Sequence, residues 1–508
     1  MAKDESPATA DKATRREWIG LAVIALPCLV YSMDLTVLNL AIPTLAAELK
    51  PSAGQLLWII DIYGFMVAGF LVTMGTLGDR IGRRRLLMIG AAAFGVASAV
   101  AAYSSSAEML IVMRALLGVA GATLAPSTLS LLTVMFKDEK ERAFAISMWI
   151  ASFSAGGILG PLIGGVLIQY FAWGSVFLIA VPVMVLLLVC GPLLLPEYKA
   201  PQAGRIDLPS AVLSLASVLL FIYGVKHGAE FGWSGQGLGA MAAGVALAVV
   251  FVRRQGRLAD PMIDLALFRR PAFSASLAIN LAGILFMFGS FVFLAQYFQL
   301  VAGLSPLQAA AASVPSAVAF TVASFVTPWL GTRLRPAALM AGGMGLAALG
   351  FLWLALAPGL EQVVAASVVF SLGFTPVITL TTGLIVGAAP PERTGVASAM
   401  SETSAELGGA LGIALLGSLG ASLYHGGMAG LALPGVSAEG LQAAQSTLGG
   451  ALGVAAGLTA ENAALLLGTA RGAFMDGFVA VAWLSIAGMV LSAAVAVSML
   501  RDVKPVGH

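Results

Sequence analysis

Residues 31–43 read Tyr31-Ser-Met-Asp34-Leu-Thr-Val-Leu-Asn39-Leu-Ala-Ile-Pro43, a carboxylate inside an otherwise uncharged and mostly apolar run. The run begins near Trp18 and is long enough to cross a hydrocarbon layer about 30 Å thick. A charged side chain at mid-bilayer costs at least about 2.5–3.5 kcal/mol on insertion scales, so such residues face a wet cavity and carry protons, ions or substrate. Asp34 therefore makes two statements at once. The chain lives in a membrane, and something polar passes Asp34.

Composition agrees. The 508 residues are 59% hydrophobic and 10% charged, with 59 glycines, whereas soluble domains carry about 25% charge. A net charge of +2 implies no nucleic-acid partner. Cys28 and Cys190 both fall in apolar stretches and build no disulfide framework or redox motif. The three histidines are not in ligand spacing, so no metal and no cofactor is expected. No Gly-x-x-x-x-Gly-Lys-[Ser/Thr] run occurs to hold a nucleotide phosphate in that way, and any energy source has to come from elsewhere. Residues 1–17 read as a polar cytoplasmic tail. The first apolar run is too long for a signal-peptide core.

Apolar stretches of spanning length lie near 18–43, 55–78, 86–104, 109–135, 143–169 and 174–195, and again near 208–227, 237–253, 273–299, 307–331, 336–357, 362–388, 395–423 and 474–500. The expectation is an all-α membrane protein with fourteen spans and both termini on one side. Of the 27 Lys and Arg residues, all but Lys50, Arg114, Lys226 and Arg471 lie in the N-terminal tail, the even-numbered connections or the C-terminal end. This asymmetry predicts cytoplasmic termini in a bacterial-type inner membrane. Between residues 424 and 472, Ser437 and Thr459 read as helix N-caps, and the runs behind them predict an extracellular helical hairpin.

An internal repeat divides the chain. Glu141-Arg-Ala-Phe-Ala-Ile-Ser147 leads into Gly156-Gly-Ile-Leu-Gly160, and Glu392-Arg-Thr-Gly-Val-Ala-Ser398 leads into Gly408-Gly-Ala-Leu-Gly412. The division is a six-span bundle over 18–199, an inserted hairpin of spans 7 and 8 over 200–258, and a second six-span bundle over 259–508. Repeated halves around a midplane site are the build of a secondary transporter.

The buried charges name the chemistry. Asp34, Asp61 and Arg114 all fall in the outer half of their spans, and Arg114 is expected to pair with Asp34 or Asp61, offsetting burial of both charges. Span 13 carries Glu402 and Glu406, four residues apart and so on one helix face. Two acids held together in low dielectric favour one of them keeping a proton, as a cation or proton site requires. In span 5, Gly156, Gly160, Gly164 and Gly165 permit close helix approach, and Pro161 removes a backbone hydrogen bond. Between spans 2 and 3, Gly75 and Gly82 allow a tight turn beside Arg80 and Arg83, where Asp79 can accept from an arginine or a helix N-terminus. Trp58, Tyr63, Asn39 and Phe320 are candidates to line a ligand cavity, the aromatics by stacking on a cation.

These motifs resemble the major facilitator superfamily, specifically its fourteen-helix drug:proton antiporters, which include quaternary-ammonium and multidrug efflux pumps. The resemblance rests on Gly75-Thr-Leu-Gly-Asp-Arg-Ile-Gly-Arg-Arg, on Met33 through Pro43, on Arg114 through Gly118 and Gly121, and on Gly156 through Gly165 with Gly160-Pro161. It implies that Asp34 and Glu402 bind protons or cations, that Glu406 is a second acid facing the substrate vestibule, and that Arg114 modulates proton exchange. It also exposes a departure. Some members carry an aspartate five residues after the proline of span 10, where this chain has Phe320 after Pro315, which sets divalent organic cations apart from monovalent ones.

The expected function is therefore a proton-coupled antiporter, not an enzyme, exporting lipophilic or quaternary ammonium cations by alternating access. Its partners are small organic cations, protons and membrane lipid, in a monomer. The alternatives are a proton symporter for a nutrient or metabolite, which would be lined with Asn and Gln, and a non-transporting receptor or scaffold, which leaves the intramembrane acids unexplained.

Overall fold

The computed structural model describes residues 12–49, 51, 53–199, 207–231, 234–258, 261–263, 265–356, 359–390, 393–431 and 436–503. Among the described residues there is no strand, and fourteen helices are long and apolar enough to cross a membrane. The first group is α1 (Arg15–Leu49), α2 (Ala53–Ile81), α3 (Arg83–Ala102), α4 (Ala107–Met135), α5 (Glu139–Tyr170), and a sixth span broken at Ile179 into α6 (Ser175–Leu178) and α7 (Ala180–Leu194). Then come α8 (Leu208–Phe231) and α9 (Gly235–Gln255), followed by α10 (Pro271–Gln296), α11 (Pro306–Gly331), α12 (Pro336–Leu356), α13 (Leu360–Gly387) and α14 (Thr394–Met428). The short α15 (Ala438–Ser446) and α16 (Leu448–Ala455) precede the last span, α17 (Ala460–Met499).

Local chemistry sets the ends. Asp138 caps α5 by accepting from the Lys140 and Glu141 amides at 3.0 and 2.9 Å. Ser305 and Gln308 form a reciprocal capping box at α11, with Pro306 at its first turn, where a proline loses no helical hydrogen bond. Gly82 holds the turn between α2 and α3 at φ 110°, a backbone region that favours glycine.

Two expected boundaries move. Helix α1 continues through Pro43 to Leu49. The outer connection is not a free-standing hairpin over 424–472: Ser437 caps α15 by accepting from Gly440, and Thr447 caps α16 by accepting from Gly450. The helix that starts after Thr459 is the first part of α17, which runs unbroken past Arg471. No proline interrupts residues 460–499, so nothing ends that helix before the membrane. Tyr424 ties the connection back by donating to the Ala444 carbonyl at 2.8 Å.

Packing follows two groups. Helix α1 lies on α5, α2 on α4, and α3 on α4 and α7; α10 lies on α14, α12 on α13 and α17, and α11 on α13. Helices α8 and α9 pack on each other, and α8 also touches both α2 and α14. The groups meet along α2 against α14 and α5 against α11. In lipid no hydrophobic force draws helices together, so close approach of small residues has to supply the contact. Gly156 lies so near the Leu29 carbonyl of α1, and Gly164 so near Val37, that a side chain at either would collide. Gly165 is exposed with open space before it. Gly160 is buried, and α5 stays helical through residue 161.

Gly156→Val should therefore overpack the α1–α5 contact and destabilise by about 1–3 kcal/mol, lowering the thermal midpoint in detergent, while Gly165→Val should leave it unchanged. Equal midpoints for the two variants would show that the contact is not tight.

Candidate functional site

Arg114 on α4 is 1% exposed. Its Nη1 donates to Asp34 Oδ2 on α1 at 2.7 Å, its Nε to the Ile59 carbonyl at 2.9 Å and its Nη2 to the Ile60 carbonyl at 3.3 Å. The guanidinium also lies over the Tyr63 ring, 5.0 Å from its centroid. One cation thus fastens α4 to α1 and α2, and Asp34 is the acid it meets among the described side chains. The side chains of Asp61, Asn39 and Pro161 lie outside the described residues. A cavity of about 10 Å³, between Asp34, Val30 and Val37 on α1 and Val176, Phe177, Ile179 and Ala180, adjoins the pair. That is room for about one water molecule.

From this pair a line of polar side chains crosses to the second group. Tyr63 is fully buried, and its hydroxyl has no hydrogen-bond partner among the described residues. Its ring sits 5.9 Å from that of Tyr31 on α1. Tyr31 in turn donates from its hydroxyl to Glu406 Oε1 on α14 at 3.1 Å. Glu402, one turn earlier on α14, lies within electrostatic reach of Glu406, Tyr31 and Cys28. Both glutamates are half-buried. The spacing of four does bring the two acids onto one face, and that face is turned toward α1.

The remaining candidates divide. Trp58 is 45% exposed and its ring meets Phe65 at 6.1 Å. Tyr63 has one face already taken by Arg114. Phe320 is buried in the core beside α13, its carbonyl accepting from Thr375 at 3.4 Å.

At the arginine-rich end a second polar cluster joins the groups. Asp79 faces the Gly395 and Val396 amides at the start of α14, where the free N–H groups and helix dipole favour a negative charge. Arg83, 1% exposed, pairs with Asp79 and donates to Ser130 and, at 3.0 Å, to Thr394. Thr394 and Ser130 are 3.1 Å apart. Gly75 makes the approach possible, since a side chain there would come within 2.6 Å of Ala399 and of the Gly395 carbonyl. Phe144 on α5 meets Phe325 on α11 at 5.8 Å, on the other seam. Arg80 is buried beside the same turn. The two groups are therefore shut against each other at this end.

Sequence reasoning did not single out Tyr31, Ser130 or Thr394. Tyr31 carries a signal that can be read: it precedes Asp34 by three residues and so shares its helix face. Ser130 and Thr394 carry none, because small hydroxyls in a helix ordinarily bond their own backbone.

Arg114→Met should strand a buried carboxylate and destabilise by about 3–5 kcal/mol. The double variant with Asp34→Asn should recover most of that loss in the thermal midpoint; equal midpoints for single and double variants would contradict the pairing. Arg83→Lys keeps the charge but not the fork of donors. It should raise the labelling rate of a cysteine placed at Ala399, in a background lacking Cys28 and Cys190, by a water-soluble thiol reagent; an unchanged rate would show that Arg83 does not hold the end shut.

Residues 24–413 match the sequence profile of the Major Facilitator Superfamily. The chain is 43% identical to the multidrug efflux pump LfrA of Mycolicibacterium smegmatis, over 97% of each chain. It is 37% identical to the methyl viologen resistance protein SmvA of Salmonella typhimurium, over 91% of this chain and 93% of that one. The human organic anion transporter MFSD10 has a similar fold, with a TM-score of 0.57 at 16% identity, covering 93% of this chain and 99% of that one. With fourteen apolar helices, paired seams and a profile match over most of its length, this chain belongs to the major facilitator superfamily and is a multi-pass membrane transporter, not an enzyme.

Proposed function

We propose that the protein is a drug efflux transporter that exchanges protons for lipophilic organic cations. The observation that carries this reading is the line Arg114–Asp34, Tyr63, Tyr31, Glu406 and Glu402, which sets three carboxylates in the membrane interior and spans both helix groups. Carboxylates in the membrane interior are the groups that carry protons or cations through a transporter. The names of the relatives, multidrug efflux and methyl viologen resistance, support export of organic cations.

The coupling is competition. A proton on Glu402 or Glu406 removes the charge that a cation needs, so one displaces the other, and the direction of exchange follows the gradient. The basic end is assigned to the cytoplasm by its arginines, with both termini there and the chain in a bacterial inner membrane. The arrangement described above is then closed to the cytoplasm, with Asp79, Arg83 and Thr394 as the latch and Gly75 as the contact that lets it seat. Monovalent cations fit better than divalent ones, because Phe320 is apolar and buried where some relatives of this group place an acid. Methyl viologen carries two charges, so its transport measures that preference directly.

In proteoliposomes, a pH gradient alone should drive ethidium transport and a sodium gradient alone should not. Asp34→Asn and Glu402→Gln should each reduce the rate by about a hundredfold or more while eluting as folded protein. Retained proton-driven transport in both variants would overturn the coupling, and sodium-driven transport would reassign the ion.

A further inference from the structure

The geometry points to Tyr31 as a positioning residue of the transport cycle, the side chain through which α1 reads the charge on Glu406 of α14. This inference rests on the proton-coupled reading above and assigns a specific part to one residue of its polar line, to which that reading gives no role of its own.

Tyr31 is 4% exposed, and its ring is held on two sides, 5.9 Å from Tyr63 and 5.6 Å from Phe153 of α5. Phe153 is itself braced at 4.7 Å by Trp149, whose indole donates to Thr128 at 3.0 Å. On α4, Gly121 leaves room for both tyrosines, since a side chain there would meet the Tyr63 hydroxyl at 3.2 Å and the Tyr31 ring at 3.5 Å. A ring so confined aims its hydroxyl in one direction, and that direction is Glu406 Oε1, 3.1 Å away on the opposite helix group.

The strength of this contact depends on the state of its acceptor. A phenol donating to an ionised carboxylate makes a charge-assisted bond, roughly twice as strong as one between neutral groups. When Glu406 is protonated, the same pair keeps a neutral bond or none. The bond thus ties α1 to α14 when Glu406 carries its charge and loosens when a proton arrives. Among the described residues, Glu402 on α14 and Tyr63 on α2 also face it; Tyr63 in turn faces Asp34 and Arg114, and Cys28 on α1 faces Glu402. Glu402 changes the occupancy of Glu406 by repulsion, and Tyr63 connects the contact to the Arg114–Asp34 pair. At the arginine-rich end the bridging groups, Arg83, Ser130 and Thr394, surround Asp79 instead. Tyr31 is where a titrating acid of the second group meets the helix that carries Asp34.

The test uses the full-length protein in proteoliposomes, with Tyr31→Phe, Glu406→Gln and the double variant beside the wild type. Ethidium binding and proton-driven ethidium uptake are followed across the range in which carboxylates titrate. Tyr31→Phe keeps the ring and should bind ethidium as the wild type does, while its uptake falls about fivefold or more and loses its dependence on pH. The double variant should fall no lower than Glu406→Gln alone, because both single changes break one contact. A Tyr31→Phe protein with the wild-type pH profile overturns the inference, as does a double variant whose loss is the product of the two single losses. If Tyr31→Phe does not reach the folded state, Glu406→Gln alone should show the flattened profile, and a wild-type profile there overturns the inference equally. Wild-type protein that transports ethidium under no pH gradient fails at an earlier step and rejects the functional reading itself.

Discussion

A guanidinium in a membrane has to be matched or expelled, and Arg114 shows what matching requires. It spends three donors on one carboxylate and two carbonyls and lays its plane on Tyr63. The consequence is architectural. Because the partners come from α1 and α2, relieving one buried charge fixes the relative rotation of three helices, and with it the direction in which Tyr31, Tyr63 and Asp34 face. A buried pair of this kind contributes less to net stability than to the uniqueness of the arrangement, since its Coulomb gain is offset by desolvation.

The two helix groups are joined by contacts of different kinds at different depths. At the arginine-rich end the contact combines a helix N-terminus, a carboxylate, an arginine and two hydroxyls, seated by the absence of a side chain at Gly75. Midway, a single phenol reaches a single glutamate. The first depends on all its members fitting together; the second rests on one hydrogen bond between a phenol and a carboxylate. Helix α8 lies along the same seam, its Ile222 in a cluster with Phe65 and Ala68 of α2 against Leu407 and Ala410 of α14. The contact between the groups is therefore covered from the side by α8, to which α9 is held by Arg254 donating to both oxygens of Asp207 at 2.8 and 2.9 Å.

Much of the site is legible in the chain because charge in an apolar run is conspicuous. Asp34, Arg114, Glu402 and Glu406 stand out without any structure, and the spacing of the two glutamates assigns them a common face. The partner of Arg114 is narrowed by depth to Asp34 or Asp61, and only the fold shows that Asp34 reaches it. Tyr31 sits inside the very stretch that reveals the membrane, yet a tyrosine in a helix is ordinary until its ring is seen to be clamped and its hydroxyl aimed. Phe320 and Tyr63 read as ligand-lining aromatics, and packing turns one into core and gives one face of the other to Arg114. The outer connection is misread for a related reason: Thr459 does start a helix, but nothing local tells whether that helix ends or runs on into the membrane.

The sequence by itself determined that the chain has fourteen membrane spans, that its basic residues gather at one end of them, and which residues carry the charges that need explaining. These follow from the bilayer, whose penalty on polar groups acts on each segment separately and leaves its mark along one dimension. Only the tertiary structure decided which charges meet. The bond from Tyr31 to Glu406 joins residues 375 apart, and that from Arg83 to Thr394 joins residues 311 apart. Such contacts depend on the rotation and tilt of whole helices, which are set by many small packing decisions at glycines and aromatic rings and by no segment alone.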